Sequence, residues 1–173
     1  EASAMGETNV NVVTGLLAGT KYYYRLRAQN QSGASDDSAT QSVWTVPAAP
    51  EVLAATNNTT ESFDANWSAA RGATNYLLDV SGTNDFTSYV AGYSNWAVET
   101  LSQTVTGLAI GTEYYYRLRA QNSGGISVDS GTQTAWTVPP APVAQAASEV
   151  ATNSFTANWE VALSATNYLL DVS

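Results

Sequence analysis

Apolar and polar residues alternate along most of this chain, and a period of two is the mark of a strand with one buried face. Within 62–67 the pattern puts Phe63, Ala65 and Trp67 on one side; within 75–81 it gathers Tyr76, Leu78 and Val80; within 114–122 it gathers Tyr114, Tyr116, Leu118 and Ala120. Val52 and Ala54 predict a short strand ahead of these, Thr87 to Val90 an edge strand, Gln103 to Leu108 another and Thr132 to Val138 a last one. Turn-forming residues separate them at Arg71-Gly72, Ser81-Gly82, Gly107, Gly111 and Gly124-Gly125. No stretch sustains a helical period. About seven short antiparallel strands in a unit of this size predict an all-β, two-sheet sandwich.

The same pattern returns at a fixed spacing. Trp44 recurs as Trp136 and Trp67 as Trp159, each 92 positions on; YYYRLRAQN at 22–30 returns unchanged at 114–122, and ATNYLLDVS at 73–81 returns at 165–173. A fixed period identifies a repeat architecture before any finer assignment. The expected organisation is therefore the back part of one unit at 1–46, a complete unit at 47–139 and the front part of another at 140–173. The two end portions together omit only the positions matching Gly82 to Gly92, so they read as complementary parts of one sandwich. Lying at opposite poles of the central unit, they are expected to meet only between molecules, head to tail, and a contact that does not close generates a filament.

Composition trims the function classes. With 44% hydrophobic residues, ten Tyr and five Trp in 173, the chain can build packed cores. It has no cysteine, so core packing must stabilise it without disulfides or thiolate-bound zinc. Fifteen acids against six bases give a net charge of −9, which repels nucleic acid and anionic membranes; neither is an expected partner. No apolar run approaches the roughly 20 residues of a membrane-spanning helix. Scarce lysine with abundant Thr, Ser, Asn and Ala suits an extracellular or cell-surface setting.

The central unit resembles a fibronectin type III domain. The residues that carry the likeness are a Pro-rich entry, Trp67 ending the second strand, an inward Tyr76 on the third, and Leu108-Ala109-Ile110-Gly111-Thr112-Glu113-Tyr114 leading into an alternating strand. That last segment resembles the family's tyrosine corner, which implies that Tyr114, and Tyr22 in the earlier copy, bond back to the chain through their hydroxyls. The resemblance implies tandem immunoglobulin-like sandwiches, similar to those of large secreted bacterial surface proteins. One detail departs: the final strand ends in Trp136-Thr137-Val138-Pro139, where the family carries smaller residues.

Several residues invite a functional reading. Arg117 and Arg119, with Arg25 and Arg27 in the copy, offer a basic site; the plainer reading pairs them across the ladder with Asp79 and Asp171. Tyr23 and Tyr115 point outward and with Trp96 would make an aromatic platform for a sugar or a protein, although aromatic residues are also good strand formers. Trp96 aligns with Ala4, so it is specific to one unit. Trp44 and Trp136, just before Pro47 and Pro139, stand at the interdomain joint, where a bulky ring beside proline would stiffen the boundary or merely cap its own sandwich.

Catalysis has little to stand on. There is no His and no Cys, and the alternation places no pair of acids together on a concave face. No enzyme, cofactor or metal is expected, and the acids in the loops after the sixth strand are too few for calcium. Glycosylation signals occur at Asn30, at Asn57 and Asn58, and at Asn66, and Asp37-Ser38-Ala39 resembles a bacterial O-glycosylation site at Ser38. Three functions are carried forward: a structural or adhesive spacer, a filament subunit joined through the split units, and a protein- or carbohydrate-binding module. The expected partners are other copies or neighbouring repeats, with surface proteins or glycans for the third.

Overall fold

The computed structural model describes residue 6 and residues 9–173. Every regular element among them is a strand: β1 (Lys21–Tyr24), β2 (Gln29–Asn30), β3 (Gly33–Ala34), β4 (Gln41–Trp44), β5 (Val52–Thr56), β6 (Ser62–Trp67), β7 (Asn75–Ser81), β8 (Trp96–Val98), β9 (Ser102–Thr106), β10 (Glu113–Asn122), β11 (Gly125–Ile126), β12 (Gln133–Trp136), β13 (Ala144–Ser148) and β14 (Thr156–Trp159).

β5 to β12 form a sandwich. One sheet runs β5-β6-β9; the other runs β8-β7-β10, with β11 and β12 both on the far side of β10. All pairs are antiparallel. The alternating faces meet between the sheets: Phe63, Ala65, Leu78, Val80, Val105, Tyr116, Leu118 and Ala120 are wholly buried. The Phe63 ring packs on Tyr116 at 5.7 Å and Trp67 on Tyr76 at 5.8 Å, tilted as quadrupoles prefer. Outside this sandwich β1 pairs with β4, β2 with β3 and β13 with β14, each as a separate two-stranded ladder.

The first strand forms as expected, as β5, with a register shift against β6 between Leu53 and Thr56 that turns Val52 and Ala55 to the core. Two sequence expectations need correction. The edge strand is not Thr87–Val90 but β8, ten residues or so later in the same connection. Val90 N instead bonds Val80 O at 2.8 Å and Val80 N bonds Tyr93 O at 2.9 Å, so the intervening segment folds back as a loop. Four alternating residues carry too little signal to separate the two cases. Finally, β7 is buried on both faces: Asp79 is 1% and Ser81 0% exposed although they alternate with the core residues.

The buried Tyr116 hydroxyl donates to the Leu53 carbonyl oxygen and ties the two sheets. Burial pushes its pKa up to about 12, above the ordinary value near 10. The stability this group contributes is thus present below about pH 10 and lost as pH rises through 10 to 12. Tyr116→Phe is expected to lower the unfolding free energy by about 1 kcal/mol in urea titrations at neutral pH and to flatten the alkaline limb of the stability profile. An alkaline limb unchanged by the substitution would contradict this assignment.

Candidate functional site

The ends of the sandwich, rather than its faces, carry the most constrained geometry. The turn that precedes β10 is held from two sides. Tyr114 Oη accepts a hydrogen bond from Ala109 N at 2.9 Å, while Thr137 Oγ1 donates to Ala109 O at 2.8 Å and accepts from Thr112 N at 2.8 Å. One copy earlier the bonds repeat: Tyr22 Oη accepts from Leu17 N at 2.9 Å, and Thr45 Oγ1 donates to Leu17 O at 2.7 Å and accepts from Thr20 N at 2.9 Å. A phenol and a threonine thus satisfy both backbone groups of one residue and fix the loop. Each held turn presents a buried glycine, Gly19 or Gly111, at φ 57° and 58°.

Those two glycines touch the next unit. A methyl group added at Gly19 would lie 1.8 Å from the Arg71 carbonyl oxygen, and one added at Gly72 would lie 2.1 Å from the Gly19 carbonyl oxygen. Backbone meets backbone there, and only the absence of Cβ permits it. At the other end, a methyl added at Gly111 would lie 3.0 Å from the Leu163 carbonyl oxygen, and Ser164 Oγ donates to Gly111 O at 2.6 Å. The first joint has a second contact. Asn122, 7% exposed at the end of β10, accepts from Gly124 N at 2.8 Å and donates through Nδ2 to Thr45 O at 3.0 Å. A methyl added at Gly124 would meet Trp44 O at 2.2 Å.

The joint residues expected from the sequence are therefore present in part. Trp44 meets the next unit through its carbonyl oxygen, and Pro47 is buried beside it. The Trp136 ring is 49% exposed and Pro139 is half-buried. Of the residues missed, Gly19, Gly72, Asn122 and Ser164, two had a usable signal: Gly19 recurs as Gly111 and Asn122 repeats Asn30 at the 92-residue spacing, whereas Gly72 and Ser164 are the one changed pair.

On the outer face of β7 and β10 lies a charge cluster. Asp79 Oδ2 sits 3.4 Å from Arg117 Nε and 3.2 Å from Arg119 Nη2, and Asp79 Oδ1 accepts from Asn95 N at 2.7 Å. Asn95, at φ 53°, also takes a bond from Arg119 through its side-chain oxygen. Asp129 approaches both arginines at 3.2 Å, although Arg119 Nε is aligned for charge attraction only, not for a hydrogen bond. The Phe86 ring closes the cluster, 4.1 Å from the Arg117 guanidinium carbon. Two positive and two negative charges cancel, so the arginines are occupied rather than open to a ligand.

Asp129 reaches them because the last strand leaves the ladder. Between β11 and β12 the chain is bridged to β10 by two serines: Ser127 Oγ accepts from Ala120 N and Ser130 Oγ from Leu118 N, both at 2.9 Å, while their own amides bond back at 2.8 Å. The two residues between them bulge out. Ser35 and Ser38 repeat the device against Ala28 and Leu26.

One further reading, the aromatic platform, needs correction; the glycosylation candidates Ser38, Asn58 and Asn30 are exposed and hydrogen-bonded. The Ser38 hydroxyl, an expected sugar acceptor, already accepts from Leu26 N and donates to Ala39 O. Asn58 donates its amide to Trp136 O at 2.8 Å, and Asn30 accepts from Ser32 N at 2.8 Å in the turn whose copy, at Asn122, is committed to the joint. The aromatic platform does not assemble. Trp96 opposes Leu78, on the core-facing side of its sheet, whereas Tyr115 opposes Ser81 on the outer side. Opposed residues share a face, so the two rings diverge. Tyr115 donates to Glu113 Oε2 at 2.7 Å, an interaction that raises its pKa, and Tyr23 lies in the earlier unit with Lys21 5.3 Å over its ring. Trp96, 46% exposed, stacks on Tyr93 at 5.9 Å.

A family model described as fibronectin type III domain matches residues 48–136. Human myomesin-2 is 29% identical over 166 residues, covering 84% of this chain and 11% of that protein. Exoglucanase B of Cellulomonas fimi is 30% identical over 138 residues, covering 73% of this chain and 12% of that protein. The chain thus spans about a tenth of the length of either. A solved Fn3-like protein from Clostridium thermocellum is 29% identical, covering 51% of this chain and 90% of that one at a TM-score of 0.43.

The two charge clusters give a matched test. Asp79→Ala removes the buried acceptor of two arginines and of the Asn95 amide, leaving the arginines only the more exposed Asp129, and is expected to cost about 1.5–3 kcal/mol. Asp37→Ala, which breaks the exposed pairs to Arg25 at 2.9 Å and Arg27 at 3.5 Å, is expected to cost less than about 1 kcal/mol. Equal losses in chemical denaturation would show that burial is not what distinguishes them.

Proposed function

From the premise that the chain belongs to the fibronectin type III family, we propose that it is a non-enzymatic spacer segment, a run of stiffly joined sandwiches that holds other parts of an extracellular or cell-surface protein at fixed separation. The observation that carries this reading is the repeated joint. At both ends of the central sandwich a turn fixed by Tyr and Thr presses a glycine against the neighbouring unit's backbone. A floppy linker has no use for contacts that a single methyl group would break. The proline-bearing connections, Trp44 to Pro50 and Trp136 to Pro142, restrict the backbone at the same places. The extracellular setting is part of the proposal; the acidic, cysteine-free, lysine-poor composition and the likeness to a bacterial protein named an exoglucanase support it.

Spin labels placed on exposed Gln41 and Thr100, on either side of the first joint, are expected to give one narrow distance distribution. Asn122→Ala removes the amide bond to Thr45 and is expected to broaden that distribution while costing the fold about 1 kcal/mol. A broad distribution in the unaltered protein would end the spacer reading.

A second reading, a sugar- or protein-contacting module, is favoured by Trp96 alone: a half-exposed indole backed by Tyr93. Binding to a panel of glucan and chitin oligosaccharides that is lost on Trp96→Ala would support it, and unchanged or absent binding would exclude that ring as the contact.

A further inference from the structure

We propose that the joint is a recognition surface between units of the same type, built as a plug and a socket, and that the second residue of the socket turn, Gly72 or Ser164, sets the angle between neighbours. This rests on the spacer reading and deepens it, because it assigns the geometry of each joint to one position.

The plug is constant. Gly19 and Gly111 have the same backbone conformation, φ 57° and 58°, the same phenol and threonine anchors, and the same flanking bond, from Gly19 N to Val46 O at 2.9 Å and from Gly111 N to Val138 O at 3.2 Å. What differs is the socket. Its first residue is Arg71 or Leu163, each contacting through the carbonyl oxygen; its second is Gly72 at φ 67° or Ser164 at φ 55°. With glycine the backbones close until a plug methyl would lie 1.8 Å from the socket carbonyl oxygen, and with serine that separation is 3.0 Å. The serine both forces and exploits the gap: its Cβ needs room that the first joint lacks, and its hydroxyl spans the opening to donate to Gly111 O at 2.6 Å. That bond also offsets the strain of holding a non-glycine residue in the left-handed region.

A change of about 1 Å at one edge of a contact is not small in consequence. Acting across the ~10 Å thickness of a two-sheet sandwich, it tilts one unit on the next by about 6°. Successive joints built on the same plug therefore need not point the same way, and the choice of glycine or serine in one turn decides it.

The experiment exchanges the two residues in the full chain and reads unit orientations from residual dipolar couplings. Gly72→Ser is expected to tilt the first joint toward the alignment of the second, and Ser164→Gly to tilt the second toward the first. Ser164→Ala, which keeps the Cβ and removes the donor, is expected to leave the mean alignment and weaken its definition. Because Ser164 already occupies this turn, serine at position 72 is compatible with the fold, and an unchanged melting profile confirms it. If either exchange leaves its joint unmoved while the unaltered protein shows fixed orientations, the inference falls and the spacer reading stands. If the unaltered joints show no fixed orientation, both fall.

Discussion

The structure hangs on β10. This single strand of ten residues is hydrogen-bonded to β7 on one side and to β11 and β12 on the other. Its inward residues, Tyr114, Tyr116, Leu118 and Ala120, supply much of the core, and its outward arginines gather the charge cluster. At about 3.3 Å per residue it runs roughly 33 Å, and both joints lie at its ends: Gly111 stands two residues before it and Asn122 is its last residue. A one-residue slip of this strand would turn every side chain to the wrong face. The distance between the two joints is therefore fixed by the same alternation that builds the core.

That coupling explains why the outer face of the sheet is so heavily tied. A sheet of this kind usually leaves one face to water, yet here Asp79 is buried under the loop that carries Phe86 and Asn95. A buried carboxylate between two arginines is weak evidence for net stability, since desolvation offsets much of the attraction. Its effect is on definition. Asp79 and Asp129 hold Arg117 and Arg119 from opposite sides, so β7, β10 and the bulged segment before β12 are pinned to one another across a stretch where the ladder is replaced by serine hydroxyls.

Period-two alternation made the sandwich legible, because residues such as Phe63, Leu78 and Tyr116 have one place to go. It failed where the backbone departs from the ladder. The bulge after Leu53, the fold-back at Val90 and the serine bridges at Ser127 and Ser130 depend on which individual hydrogen bonds replace the ladder, and neither composition nor alternation announces them. The joint was half visible. Pro47 and Trp44 marked its place, but apart from one side-chain bond each from Asn122 and Ser164 the contact is made by backbone, and backbone leaves only a negative trace in a sequence: a glycine where a side chain will not fit. Gly72, and Gly111 as the later copy of Gly19, read as ordinary turn residues until the turns are seen facing each other. The platform of Trp96, Tyr115 and Tyr23 failed for the opposite reason: the register of β8 on β7 turns Trp96 to the core-facing side while Tyr115 looks outward, and Tyr23 belongs to the earlier copy.

Backbone contact has a further property that suits a repeated joint. A side-chain interface specifies its partner through shape and charge, and every substitution in it couples to the core behind. A glycine plug carries no such load: its conformation is set by Tyr and Thr anchors within its own unit, and the socket needs only a turn with a free carbonyl. The two parts can therefore vary independently. Leu163 replaces Arg71 and Ser164 replaces Gly72 while the anchors and the core strands are retained. Changing the socket alters how one unit sits on the next without touching what makes either unit fold, which is the separation a chain of repeated units requires if its overall course is to be adjusted one joint at a time.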